Sequence, residues 1–171
     1  MTLRGWALIM VAITAASGAC DPVGDEAMAA LGPETPGVRR GPLHRPGQPC
    51  LVCHDGSFGS PPAFSVAGTI YATPSSPIGL EGATIALTDS TGSEYTTMGT
   101  NAAGNFYVTP DQWNPVFPLS AVAVTSTTVG FAVMQSDIGR DGACASCHFN
   151  PAGPASPGQV CITLDEGGLP P

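Results

Sequence analysis

The sequence predicts a mainly β protein: a small antiparallel β-sandwich flanked by two loop or short-helix segments built around paired cysteines. Three observations lead there. The 22 glycines and 18 prolines make up about 23 % of 171 residues, roughly twice average usage, which breaks up long helices. Between residues 64 and 135, short runs alternate apolar with small or polar residues, and turn-forming clusters separate them. A C-x-x-C pair stands on either side of that stretch.

The strands are read in order. Val66, Gly68 and Ile70 alternate with Ala67, Thr69 and Tyr71 and give a first strand over 66–71. Ile85 and Leu87 mark a second over 84–88. Phe106 and Val108 follow the turn Ala103-Gly104-Asn105, and runs at 119–124 and 129–133 complete the set. Pro-Ser-Ser-Pro at 74–77, Asp89-Ser90-Thr91-Gly92 and Thr127-Thr128 supply turn chemistry. If Phe131 and Val133 face the core, strand alternation turns Met134 outward. Residues 158–164 read as a last strand carrying Cys161, a buried, inert thiol. About 70 residues suffice to close one small core.

Charge excludes one class of partner. Only 11 % of residues are charged, there is no lysine, and five arginines oppose thirteen acids for a net charge of -8. Such a chain cannot build the basic face that a phosphate backbone requires, so nucleic-acid binding is excluded. A hydrophobic fraction of 43 % also excludes full disorder.

The N-terminus reads as an export signal. Arg4 precedes an apolar run over 6–16 that is too short to span about 30 Å of hydrocarbon. Ser17, Gly18 and Ala19 are small, and Cys20 follows. This arrangement resembles a bacterial lipoprotein signal, with Ser17 where Leu is usual. The resemblance implies removal of 1–19, a diacylglycerol on Cys20, and a protein held by lipid to a membrane in the periplasm or at the cell surface. An ordinary signal peptide, with Cys20 a free or bridged thiol, is the other reading. From Cys20 onward four arginines face thirteen acids, a charge of -9. The expected divisions are a signal peptide at 1–19, a flexible tether at 20–43, a first cysteine segment at 44–63, the sandwich at 64–135, and a second cysteine segment with the C-terminal tail at 136–171. A short helical patch at 26–31 is the only regular structure expected in the tether.

The chemistry lies in two copies of one motif. Cys50-Leu51-Val52-Cys53-His54 and Cys144-Ala145-Ser146-Cys147-His148 are both C-x-x-C-H, the attachment pattern of c-type haem. Two thiols three residues apart on a tight turn reach the two vinyl groups of one porphyrin. The next residue then lies under the iron, where a neutral imidazole is the proximal ligand. With three histidines in 171 residues, a His follows both pairs by chance roughly once in 3,000 trials, so the pattern is specific. Two haem c groups are therefore expected, on Cys50, Cys53 and His54 and on Cys144, Cys147 and His148.

Each iron also has a sixth position. His44 is the only other histidine, and the Pro46-Gly47 bend can fold it back as a distal ligand of one haem. Met134 is the weak candidate for the other. His/Met ligation would raise that haem's potential above a bis-histidine one, so the two haems are expected to be unequal. Arg39, Arg40, Arg45 and Arg140 are candidates to pair haem propionates. Asp55, Asp137 and Asp141 form an acidic rim that would steer a redox partner with a basic docking face. Trp113, Phe64, Phe117, Phe58 and Phe149 read as ordinary packing.

Three alternatives remain beside haem. The four motif thiols could close one tetrahedral zinc site and brace an anchored β-sandwich binding module. Two local disulfides would do the same. A thiol oxidoreductase would need a thioredoxin-like βαβ pattern, which neither motif has around it. A di-haem peroxidase needs an open iron and acid–base groups in a pocket. This chain is short and poor in His, so no enzyme is expected.

Two resemblances extend the reading. Residues 65–108, with Val66, Gly68 and Ile70, then Gly82-Ala83-Thr84-Ile85-Ala86-Leu87, an Asp89/Gly92 hairpin turn and Thr100-Asn101 closing on Gly104-Asn105-Phe106, resemble carboxypeptidase regulatory-like, transthyretin-like sandwich domains. That implies a fold used as spacer or binding module, and no catalytic residues. The run His44-Arg45-Pro46-Gly47-Gln48-Pro49 before Cys50, a β-domain, and Gly139-Arg140-Asp141-Gly142 before the second motif are similar to a class of small bacterial exported di-haem proteins, whose Pro-Gly stands one place later. It implies the layout and no activity. The expected function is one-electron transfer at the cell envelope.

Overall fold

The computed structural model describes residues 22–34, 40–57 and 60–162. The expected signal, Cys20, Arg39, Phe58 and the end of the anticipated last strand lie outside them. The described chain is mainly β, in two antiparallel sheets. Strands β1 (Val66–Thr69) and β4 (Asn105–Val108) pair as a two-stranded sheet. A four-stranded sheet runs β3 (Glu94–Thr96), β2 (Thr84–Asp89), β5 (Leu119–Ser126), β6 (Gly130–Val133). Strand β3 was read only as the far side of a turn. It pairs Tyr95 with Leu87 and Glu94 with Thr88.

One core lies between the sheets. Val66, Phe106 and Val108 come from β1 and its partner, Ile70 directly follows β1, and Ile85, Leu87, Val122 and Val124 come from the larger sheet. Trp113, Leu119 and Ile162 complete it. Burying each such aliphatic side chain contributes roughly 1.5–3 kcal/mol relative to exposure. Trp113 stacks on Tyr95 and donates its indole N–H to Ser93 Oγ at 3.0 Å, so it is a core residue with its polar edge satisfied.

Strand β6 faces opposite to the expectation. Val122 and Val124 point into the core, so the alternating positions Ala123 and Thr125 point away from it. Phe131 pairs with Thr125 and Val133 with Ala123, which forces both apolar side chains outward, 51 % and 43 % exposed. Met134 instead takes the inward position: its N–H bonds Val122 O at 2.9 Å and its side chain packs on the core.

The segment expected as a tether is partly helical. Helix α1 (Pro22–Ala30) forms where Asp-Glu-Ala-Met-Ala-Ala combines strong helix formers with an acid in the first turn. It is longer than the patch at 26–31, and its end is docked. The Arg45 guanidinium donates twice to Gly32 O at 3.0 Å, and Gln48 Nε2 donates to Leu31 O at 3.2 Å. Near the other end of the chain, Cys161 contributes only a single parallel bridge to Tyr71 rather than a strand. Among the described residues no helix is long and apolar enough to cross a membrane.

Candidate functional site

Both C-x-x-C-H segments fold as the same turn. In the first, helix α2 (Leu51–His54), Cys50 O accepts the N–H groups of Cys53 at 3.2 Å and His54 at 3.0 Å. In the second, a 3-10 turn (Cys144–Ser146), Cys144 O accepts those of Cys147 at 3.2 Å and His148 at 2.8 Å. One helical turn brings the thiol at i and the thiol at i+3 to the same side. The pattern repeats without any sequence identity at the two intervening residues.

The histidines repeat too. His54 Nδ1 bonds Pro62 O at 2.8 Å, and His148 Nδ1 bonds Gly158 O at 3.0 Å. A carbonyl only accepts, so the proton sits on Nδ1 and the lone pair on Nε2. Metal-ligating histidines are held in this way. His44 follows suit, with Nδ1 bonded to Gly41 O. All three histidines therefore offer Nε2.

His44 and His54 are neighbours. Their ring centres are 5.9 Å apart, with the planes inclined at 56°. Both side chains would therefore be near an iron held at the first motif. His54 is buried, 7 % exposed, and stacks on Phe64 at 4.4 Å, which stacks on Tyr107 at 4.7 Å. Phe64 is thus a wall of the first motif rather than ordinary core.

Strand β1 organises both motifs. Its outward residues support the first: Thr69 Oγ1 accepts Gly47 N–H at 2.8 Å, and Gly47, at φ 77°, lies against the Tyr71 hydroxyl where any Cβ would overlap it. Its inward face and edge hold the second. Ala67 pairs with Ala143, and Ala67 N–H donates to Gly142 O at 2.9 Å. A Cβ on Gly68 would stand 2.8 Å from Cys144 Sγ, so the missing side chain makes the room the thiol occupies. Asp141 Oδ1 accepts Ala143 N–H at 2.8 Å and fixes the entry to the turn.

The motifs share a cavity of about 330 Å³, lined by Leu51, Val52 and Asp55 from the first and by Arg140, Asp141, Ala143 and Ser146 from the second. Burial pushes the Cys50 thiol up to about 11, with Cys53 adding to it. Burial, then the nearby Cys50 sulfur, pushes Cys144 up to about 12. A redox dithiol needs the opposite, a depressed thiol pKa. Among the described residues no three His, Cys, Asp or Glu side chains converge to hold one metal ion, so the four thiols are not assembled as a single tetrahedral set. The donor set at each turn, two thiols three residues apart and an imidazole fixed through Nδ1, fits a covalently attached haem.

Other expected participants fall elsewhere. Met134 belongs to the core. Arg45 is engaged by Gly32, Gln48 and Glu34, and the exposed Arg40 pairs with Glu34 at 3.5 Å. Of the described arginines Arg40, Arg45 and Arg140, only Arg140 lines the shared cavity. Cys161 borders a separate cavity of about 630 Å³ with Pro74, Asn150 and Gly158, and partial burial raises its pKa. Sequence reasoning missed Thr69, Asn105 and Tyr107, which read as ordinary strand residues. It also missed Pro62 and Gly158, which act through backbone carbonyls and so carry no side-chain signal. Comparison with known protein families, curated proteins and solved structures found no match.

Proposed function

We propose that the chain is an exported di-haem c-type cytochrome that passes single electrons at a bacterial cell envelope. Its two sheets are read as a small transthyretin-like sandwich between two haem-attachment segments, and a lipid on Cys20 holds it to a membrane. The observation that carries the reading is the duplicated site: two C-x-x-C-H turns with the same backbone bonds, each His fixed through Nδ1 with Nε2 free.

Cys50 and Cys53 hold the first group and Cys144 and Cys147 the second. Addition of each thiol S–H across a vinyl C=C would give a thioether, with the proton on the other vinyl carbon and no oxidant consumed. The haems would supply the reversible one-electron couple. His54 and His148 would be the proximal ligands, and His44 would be the distal ligand at the first site. Phe64 shields His54 from water. Arg140, beside both turns, is placed to pair a propionate. The chain is read as a carrier and not an enzyme: its residues bind, shield and tune. The net charge of -9 from Cys20 onward favours a redox partner with a basic face.

The test is a mass. Protein made in a strain that matures c-type haem should weigh the processed polypeptide plus two porphyrins, show a Soret band, and keep its colour when denatured. A colourless protein with bridged thiols or bound zinc would replace this reading with that of an anchored binding module. Rapid peroxide turnover would argue for an enzyme.

A further inference from the structure

The segment carrying His44 is held by side chains of β1, of β4 and of the turn before β4. Asn105 Nδ2 donates to Pro42 O at 3.1 Å and to His44 O at 3.2 Å. Asn101 Nδ2 also donates to Pro42 O, at 2.7 Å. Thr69 is cross-strand partner to Asn105. Its hydroxyl donates to Asn105 Oδ1 at 2.7 Å and accepts Gly47 N–H at 2.8 Å. The backbone is therefore gripped at 42, at 44 and at 47, on both sides of the histidine. Thr69 is 4 % exposed, so its hydroxyl is satisfied by these partners and not by bulk water.

We infer that Thr69 and Asn105 form a clamp that positions His44 against His54, setting the second axial ligand of the first haem. This rests on the di-haem reading. Neither residue touches the haem ligands' ring atoms; both act through the backbone of 42–47. The Pro46-Gly47 bend by itself leaves the loop free to swing, and a distal ligand must stay within bonding distance to keep the iron low-spin. The clamp supplies that constraint, and the Thr69 hydroxyl joins its two halves because it is donor to one and acceptor from the other.

The experiment uses the mature holoprotein and four variants: His44→Ala, Asn105→Ala, Thr69→Val and Thr69→Ser. Haem is counted by mass in each, which tests the di-haem reading separately: no haem in the unaltered protein overturns that reading, and this inference with it. With two haems present, His44→Ala should convert about half of the ferric haem to high spin, one site of two. Asn105→Ala and Thr69→Val should do the same in part and raise one of the two redox waves. Added imidazole should restore the low-spin signal, and Thr69→Ser should remain like the parent. Thr69→Val keeps the side chain's shape, so it serves if Asn105→Ala does not fold. The clamp is overturned if Thr69→Val or Asn105→Ala retains two haems, the parent's low-spin fraction and unshifted waves. It is equally overturned if His44→Ala leaves the spin state unchanged.

Discussion

Asp89 shows how a single side chain fixes a turn. Its Oδ1 accepts the Thr91 hydroxyl at 2.6 Å and the N–H groups of Thr91 at 2.8 Å and Ser93 at 3.0 Å, while Oδ2 accepts Val116 N–H at 2.9 Å. These bonds, the Thr91 hydroxyl first, hold the carboxyl down to about 2. A folded pKa below the unfolded one stabilises the native state at pH values above the ordinary carboxylate range. That contribution fades as pH falls through about 4 toward 2. Asp89→Asn should therefore lower the urea midpoint at neutral pH and flatten its decline between pH 5 and pH 2. Parallel declines in the two proteins would refute the assignment. The sequence marked Asp89 as a turn residue. It could not reveal Val116, because that bond joins positions 27 apart whose encounter depends on the finished sheet.

Elements divide into those whose pattern was legible and those decided by pairing. Strands β1, β2, β4, β5 and β6 follow from period-2 runs and turn residues, but the side to which β6 presents its residues follows from its register with β5. Phe131 and Val133 are larger and more apolar than Ala132, so composition alone pointed the wrong way. The reversal has a consequence for Met134. Met134→Leu, close in volume, should change stability by less than about 1.5 kcal/mol and leave every haem band in place, by thermal melting and absorption. A lost band would return Met134 to the iron. Strand β1 supports a sharper test. Gly68→Val places atoms where Cys144 Sγ lies, so on the proposed di-haem reading the mass should fall by one porphyrin while the first site keeps its spectrum. Loss of the first haem alone would contradict the geometry. The second attachment turn was legible from its cysteines; that it needs a glycine on a distant strand was not.

For the molecule as a whole, the C-x-x-C-H pairs were legible as a duplicated site, but their common support was not. The intervening residues 55–143 include the sheets that return the second motif to the strand that follows the first. On the proposed electron-carrier reading the net acidic charge leads to one further expectation: exchange with a basic partner should slow several-fold as ionic strength rises from about 10 to 150 mM, because screening shortens the range of attraction from about 30 to 8 Å. Stopped-flow rates indifferent to salt would remove the acidic rim from the account. Strand β1 is four residues long, yet one of its faces holds the His44 loop and its edge and other face seat Cys144. Prying that short strand loose therefore releases both centres at once. If the proposed haems are bound, a melting experiment followed by colour should show both irons changing coordination in one shared transition, with no stage at which one half of the protein is pristine and the other undone.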